Sequence, residues 1–213
     1  MIVALTNSKG GVGKTTLAVH LAVWWHERGQ RVAVVDADAQ GASSAWLQEA
    51  APAIPVLQLR SPDDILDTAP GLASDFSRVV LDGPAGLSEV TRAILLVADR
   101  ALLPCGPSLL DLRAVQEAVR VVKQAGRIRG GRPLATVVPN KLQLQYRLSR
   151  EFLAATGELE VPAATPLCLR QAFADAAGQG TVVWRLGTRG RAAAREIKGL
   201  FHGLFGQDTQ NAG

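Results

Sequence analysis

At 213 residues the chain has the length of one α/β domain with a full core, and its 47% hydrophobic content suits a sheet covered on both faces. A net charge of +4 is modest, so where the basic residues fall matters more than their excess. No run approaches the roughly 18 apolar residues of a membrane span, and Cys105 and Cys168 stand in no metal-ligand spacing, which argues for free thiols in a reducing cytosol.

Ile2 to Thr6 is an apolar run of strand length, and opening on it predicts neither a signal peptide nor a preceding helix-turn-helix domain. Then comes Ser8-Lys9-Gly10-Gly11-Val12-Gly13-Lys14-Thr15-Thr16, and from Thr16 to Arg28 the residues Leu17, Leu21, Trp24 and Trp25 keep helical spacing. A strand, a Gly-rich loop and a helix N-terminus make a phosphate cradle. The glycines let successive backbone N–H groups turn inward, and the helix dipole favours an anion there. Lys14 adds a point charge for β- and γ-phosphates, and Thr15 offers a hydroxyl to Mg²⁺. Residues Lys9 to Thr16 are therefore the candidate nucleotide site.

The loop departs from G-x-x-x-x-G-K-[ST] in its first residue, Ser8, and carries a second lysine, Lys9. With Lys14 already serving the phosphates, Lys9 is one lysine too many for a single nucleotide. The pattern resembles the deviant Walker A loop of the ParA/MinD ATPases. That resemblance implies a doubly wound, mostly parallel sheet flanked by helices, with ATP and Mg²⁺ as ligands. It also implies that Lys9 reaches across a homodimer to the partner's nucleotide.

Arg31 to Asp36 reads as a buried parallel strand ending in a carboxylate, followed by Ala37-Asp38-Ala39-Gln40. Two acids one residue apart beside a phosphate loop suit Mg²⁺ held through its waters and orientation of an attacking water. The segment is similar to the family's D-x-D-P-Q, with Ala39 in place of proline. By that resemblance Asp38 positions the water and Asp36 supports the metal site. Ser43 to Ala50 predicts a helix, Val56 to Leu59 a strand, and Ser61-Pro62-Asp63-Asp64 a capped helix start. Phe76 to Leu81 predicts the next strand, running into Asp82-Gly83-Pro84-Ala85-Gly86. This is a Walker B arrangement, similar to the family's D-x-x-P-G, with Asp82 as a metal ligand through water.

Arg100 to Pro104 predicts another strand, followed by Cys105-Gly106-Pro107-Ser108-Leu109-Leu110-Asp111. This stretch resembles the proline-rich motif of short, single-domain ParA proteins, near their dimer contact. It equally suits a βα loop with Ser108 as N-cap. After the strand Leu134 to Val138, Asn140 is either an adenine contact, as the resemblance implies, or an ordinary turn residue. A helix from Tyr146 to Thr156 and a poor strand around Val161 to Thr165 follow, the latter holding Pro162. Arg170 to Gly178 resembles the family's R-x-x-x-x-x-A-x-x-G block.

Arg185, Arg189, Arg191, Arg195 and Lys198 crowd the final stretch with a single intervening acid, Glu196. They suit a solvated helix face or, by the resemblance, nonspecific double-stranded DNA binding through phosphates. Arg120, Lys123, Arg127, Arg129 and Arg132 form a second basic candidate. Ile197, Leu200, Phe201, Leu204 and Phe205 make an apolar stripe at helical spacing. A closing helix packed on the sheet needs that stripe, and so would a MinD-like amphipathic membrane anchor; packing is the better reading because the polar face is poor in cations. The expectation is one ATPase domain over 1–206 with a disordered tail over 207–213, cytoplasmic and nucleoid-associated. A ParB-like or other adaptor would stimulate its hydrolysis, and its cargo would be a plasmid, a chromosome or a large protein assembly.

Overall fold

The computed structural model describes residues 1–206; the tail expected over 207–213 lies outside the described residues. Six strands form one sheet in the order β3-β2-β4-β1-β5-β6, and every pairing is parallel. They are β1 (Ile2–Asn7), β2 (Val32–Asp36), β3 (Val56–Gln58), β4 (Arg78–Ala85), β5 (Arg100–Cys105) and β6 (Leu134–Pro139). The helices are α1 (Lys14–His26), α2 (Ala42–Ala50), α3 (Pro62–Asp75), α4 (Glu89–Val97), α5 (Leu109–Ile128), α6 (Arg147–Thr156), α7 (Gln171–Gly178) and α8 (Arg191–Phe205). A 3₁₀ turn spans Val183–Arg185.

The period of two along a strand divides the core. On β1, Val3 and Leu5 join α1, α2, α7 and α8 on one face, whereas Ile2 and Ala4 join α3 and α4 on the other. A third cluster closes β5 and β6 under α5 and α6. The strand order reverses at β1, between β4 and β5, and the C-terminal strand ends there bring together the loops that carry the candidate site.

Helix α1 is buried almost all round from Leu17 to Trp25, because α8 lies over it. The stripe of α8 supplies that cover: Phe201 and Phe205 pack on Trp24 and Trp25 at centroid distances of 5.6 and 4.9 Å, and Ile197, Leu200, Phe201 and Phe205 are fully buried. Its apolar face is therefore spent inside the domain, and no helix among the described residues is long and apolar enough to cross a membrane. The expected strand near Val161 reduces to a single bridge, Val137 to Ala163, since Pro162 cannot donate to a ladder.

His20 staples α1 to the C-terminal segment. Its Nδ1 donates to the Thr16 carbonyl at 2.7 Å, and its Nε2 accepts the Val183 N–H at 3.1 Å, which fixes a neutral ring. Trp46, Phe173 and Trp184 surround it edge-on. Complete burial outweighs the carbonyl bond and lowers its pKa from 6.5 to about 4. A depressed pKa stabilises the fold above pH 6.5, and that stability is lost as pH falls through about 4. Thermal midpoints between pH 7.5 and 4 should therefore fall more steeply for wild type than for His20→Gln, which keeps an acceptor but does not titrate. Parallel curves would exclude His20 as an acid-sensitive staple.

Candidate functional site

The loop after β1 is set by its flanks as much as by its glycines. Asn7, fully buried at the end of β1, donates from Nδ2 to the Pro104 carbonyl at 2.6 Å, and its Oδ1 accepts the Lys9 N–H at 3.1 Å. Gly11 and Gly13 take positive φ of 73° and 99°, which only glycine adopts cheaply. At Gly13 a Cβ would also collide with the Asn140 amide. Helix α1 then begins at Lys14 with no side-chain cap, so its first N–H groups face the loop's concavity, a ready anion site.

Lys14 is buried, and its Nζ donates to the Lys9 carbonyl at 3.2 Å across the loop. Desolvation lowers its pKa, opposed by Asp82 and Asp38. Lys9 points elsewhere: its half-exposed ammonium lies 2.6 Å from Asp111 Oδ1. Asp111 is held by a capping box at the start of α5, with Ser108 Oγ donating to its Oδ2 and Asp111 N–H donating back to Ser108 Oγ. The expected N-cap at Ser108 is thus present, and it serves to aim the acid that holds Lys9. Burial raises the Asp111 pKa, but the bonds from Lys9 and Ser108 reverse this and leave it lowered.

The three acids divide. Asp82 is fully buried on β4, and both its oxygens lack a hydrogen-bond partner. Desolvation raises its pKa to about 7; the nearby hydroxyls of Thr15 and Ser43 and the charge of Lys14 oppose the shift, while Asp36 adds to it. A buried carboxylate with orphaned oxygens beside a threonine hydroxyl and a phosphate-type loop fits a hydrated divalent cation. Asp38 is half-exposed, and its Oδ1 caps the next turn by accepting the Gln40 N–H at 3.0 Å.

Asp36, expected to support the metal, is used differently. Its Oδ1 accepts the Asp38 N–H at 3.2 Å, while its Oδ2 accepts both the N–H and the hydroxyl of Ser44, at 2.8 and 2.7 Å. It has no exposed surface, and three of its roughly four acceptor sites are taken by these bonds. Asp36 therefore anchors the loop that presents Asp38 to the start of α2.

Asn140 likewise braces the loop. Its Nδ2 donates to the Val12 carbonyl at 2.8 Å and its Oδ1 accepts the Lys141 N–H at 2.9 Å. It also lines a cavity of about 220 Å³ beside the loop, with Thr16, Leu17, Leu167, Cys168 and Phe173. Lys141, which the sequence did not single out, sits at positive φ (59°) and donates from Nζ to the Gly11 carbonyl at 2.6 Å. A lysine directly after a strand-end Asn was the signal available.

The basic residues are dispersed. Arg185 lies in the 3₁₀ turn, before α8, with its guanidinium on Glu27 and the Ala50 carbonyl. Arg189 also precedes α8; Arg191 and Arg195 are on the helix, and Lys198 stacks over Trp184 at 5.0 Å. In the second group, Lys123 pairs with Glu160, Arg132 with Asp99, and Arg129 donates to the Ala98 carbonyl. Two of the five residues in that group, Lys123 and Arg132, are thus paired with acids.

With this geometry in hand, comparison with known proteins is informative. Residues 3–183 match the CobQ/CobB/MinD/ParA nucleotide binding domain. The chain is 33% identical over 206 residues to the maintenance of carboxysome distribution protein A of Halothiobacillus neapolitanus, covering 93% of this chain and 94% of that one. It is 27% identical to the chromosome-partitioning ATPase Soj of Thermus thermophilus, over 83% of this chain and 85% of Soj. Among solved structures, apo McdA from Cyanothece superposes with a TM-score of 0.79 at 18% identity, covering 95% of this chain and 98% of that one. MinD from Pyrococcus horikoshii with Mg-ADP gives 0.75 at 20% identity, covering 95% of each chain. At such identities the superpositions establish the shared fold.

Proposed function

The chain belongs to the CobQ/CobB/MinD/ParA nucleotide-binding family, and from that premise we propose that it is an ATP-dependent, dimerising ATPase that positions or segregates a large cargo over nucleoid DNA. The observation that carries this reading is Lys9, a second lysine in the phosphate loop that is turned away from Lys14 and half-exposed at the surface. Two subunits face each other across the loop, and each Lys9 leaves Asp111 for the other subunit's phosphates. The loop amides and Lys14 hold the phosphates of each ATP, and the base enters the cavity beside Asn140. Thr15 and Asp82 hold Mg²⁺. When bound, that ion supplies charge that offsets the build-up on the phosphoryl oxygens. Asp38, with Oδ1 fixed by Gln40, offers its other oxygen to orient water. Hydrolysis dissolves the dimer, and an adaptor protein with a basic peptide, ParB-like in role, accelerates it.

The relatives support the positioning role, since one is named for carboxysome distribution and another for chromosome partitioning. DNA binding by the dimer is tested by co-sedimentation with ATP, ADP or no nucleotide. Only the ATP sample should bring the protein down, with affinity falling steeply in salt and indifferent to sequence. Replacing Arg191 and Arg195 together by alanine should flatten the salt dependence by about two phosphate contacts per subunit. Equal sedimentation in all three nucleotide states would overturn the switch.

A further inference from the structure

Glu196 is the single acid among the cations of α8, and it is committed to the wall of the cavity beside the phosphate loop. Its Oε2 accepts the N–H of Cys168 at 3.1 Å. Its Oε1 accepts from Arg170 Nε at 3.0 Å and from the same guanidinium's Nη2. Cys168 and Arg170 both line the cavity, together with Leu167, Leu169 and Phe173.

The Leu167 to Arg170 segment forms neither helix nor strand, so its position depends on a few ties. On one side, Leu167 N–H donates to the Pro139 carbonyl and Leu169 N–H to that of Leu142. On the other side, Glu196 holds Cys168 and Arg170. The pair is only partly exposed, at 35% for Arg170 and 21% for Glu196, so its charge-assisted bonds are incompletely screened. Burial alone would raise the Glu196 pKa; the Arg170 and Cys168 bonds reverse that and hold it below its usual value.

We propose that Glu196 is a positioning residue for base recognition: from α8 it fixes Cys168 and Arg170, and with them the wall against which a nucleotide base packs. The inference rests on reading the cavity as the base pocket. It separates two parts of nucleotide affinity, because the hydrogen bonds of Glu196 go to Cys168 and Arg170, in the cavity wall, so the phosphate loop should not register its loss.

The test compares Mg²⁺-ATP with inorganic tripolyphosphate, which has phosphates and no base, by calorimetry on the full chain. Glu196→Ala should weaken ATP about 10-fold and leave tripolyphosphate unchanged. Glu196→Gln, which keeps an acceptor for Cys168 N–H but loses the ion pair, should recover part of the loss. Arg170→Ala combined with Glu196→Ala should be no weaker than the worse single variant, since both act through one tie. If Glu196→Ala does not fold, Glu196→Gln carries the test alone through its ATP-to-tripolyphosphate ratio. An unchanged ratio, or equal weakening of both ligands, overturns the positioning role. Wild type binding ATP no more tightly than tripolyphosphate would instead overturn the base-pocket reading itself, and the proposal with it.

Discussion

Replacing Lys9 by alanine is expected to leave ATP bound to the monomer and to abolish ATP-dependent dimerisation. The phosphates of a subunit's own nucleotide are served by Lys14 and the loop amides, and the Lys9 side chain turns outward to Asp111, 2.6 Å away. Its removal therefore spares binding within one subunit. In a dimer each lysine would meet a phosphate in a largely water-excluded interface, and truncating one partner of such a contact costs roughly 2–5 kcal/mol. Two symmetric losses should weaken the dimer by well over 100-fold. Light scattering with ATP, alongside nucleotide titration of the same samples, separates the two properties. Lys14→Ala is the contrast, since it should lose the nucleotide first. A Lys9→Ala protein that still dimerises with ATP would remove the cross-subunit role.

Asp82→Asn should produce two effects of opposite sign. Hydrolysis supported by Mg²⁺ should fall by a factor on the order of 100 or more, because an amide offers the ion's shell neither charge nor a full set of acceptors. The metal-free protein, however, should become more stable at pH 8. Asp82 has its pKa raised to about 7, so between pH 4 and 7 the folded chain keeps a proton that the unfolded chain releases. That contribution is complete below pH 4 and is lost as pH rises through about 7, leaving an unpaired charge in the core. Asparagine has no such proton to lose. In chelator, the stability of wild type minus that of Asp82→Asn should drop by a few kcal/mol from pH 4 to 8, at roughly 1.4 kcal/mol per unit. Taking the difference cancels the opposite slope of His20. A flat difference would mean that Asp82 is not the strained carboxylate described above.

The cradle was legible in the sequence because its constraints are local: glycines at fixed offsets, a lysine and a threonine at a helix start, and an acid ending an apolar strand. What was not legible depends on residues far apart in the chain. The hold of Asp36 on Ser44, eight residues on, has no mark in the sequence. That the Asn140 amide also braces the loop through the Val12 carbonyl, 2.8 Å away, could not be read from so distant a pair. The tie from Glu196 to Cys168 spans 28 residues and leaves no local pattern. Periodicity placed the apolar stripe of α8 correctly. It gave no warning that α1 is buried on every side, because the cover comes from the other end of the chain. Gly187 in the left-handed region and Gly190, packed against the Val183 carbonyl, precede the start of α8 at Arg191, which leaves Arg185 and Arg189 off the helix.

The sheet order also has a consequence for biosynthesis. Among the described residues no two strands are joined by a hairpin, and β1, the first of the six in chain order, lies between β4 and β5. It finds no hydrogen-bonding neighbour until Arg78–Ala85 has left the ribosome. Trp24 and Trp25 wait longer, since their partners Phe201 and Phe205 lie far downstream in the chain. The emerging chain thus carries an apolar strand and two indoles uncovered until those partners follow, a natural client for chaperones that bind exposed hydrophobic segments. Trp24 and Trp25 are covered only when α8 arrives, so a chain stalled or cut before α8 should be captured or degraded before it can bind nucleotide.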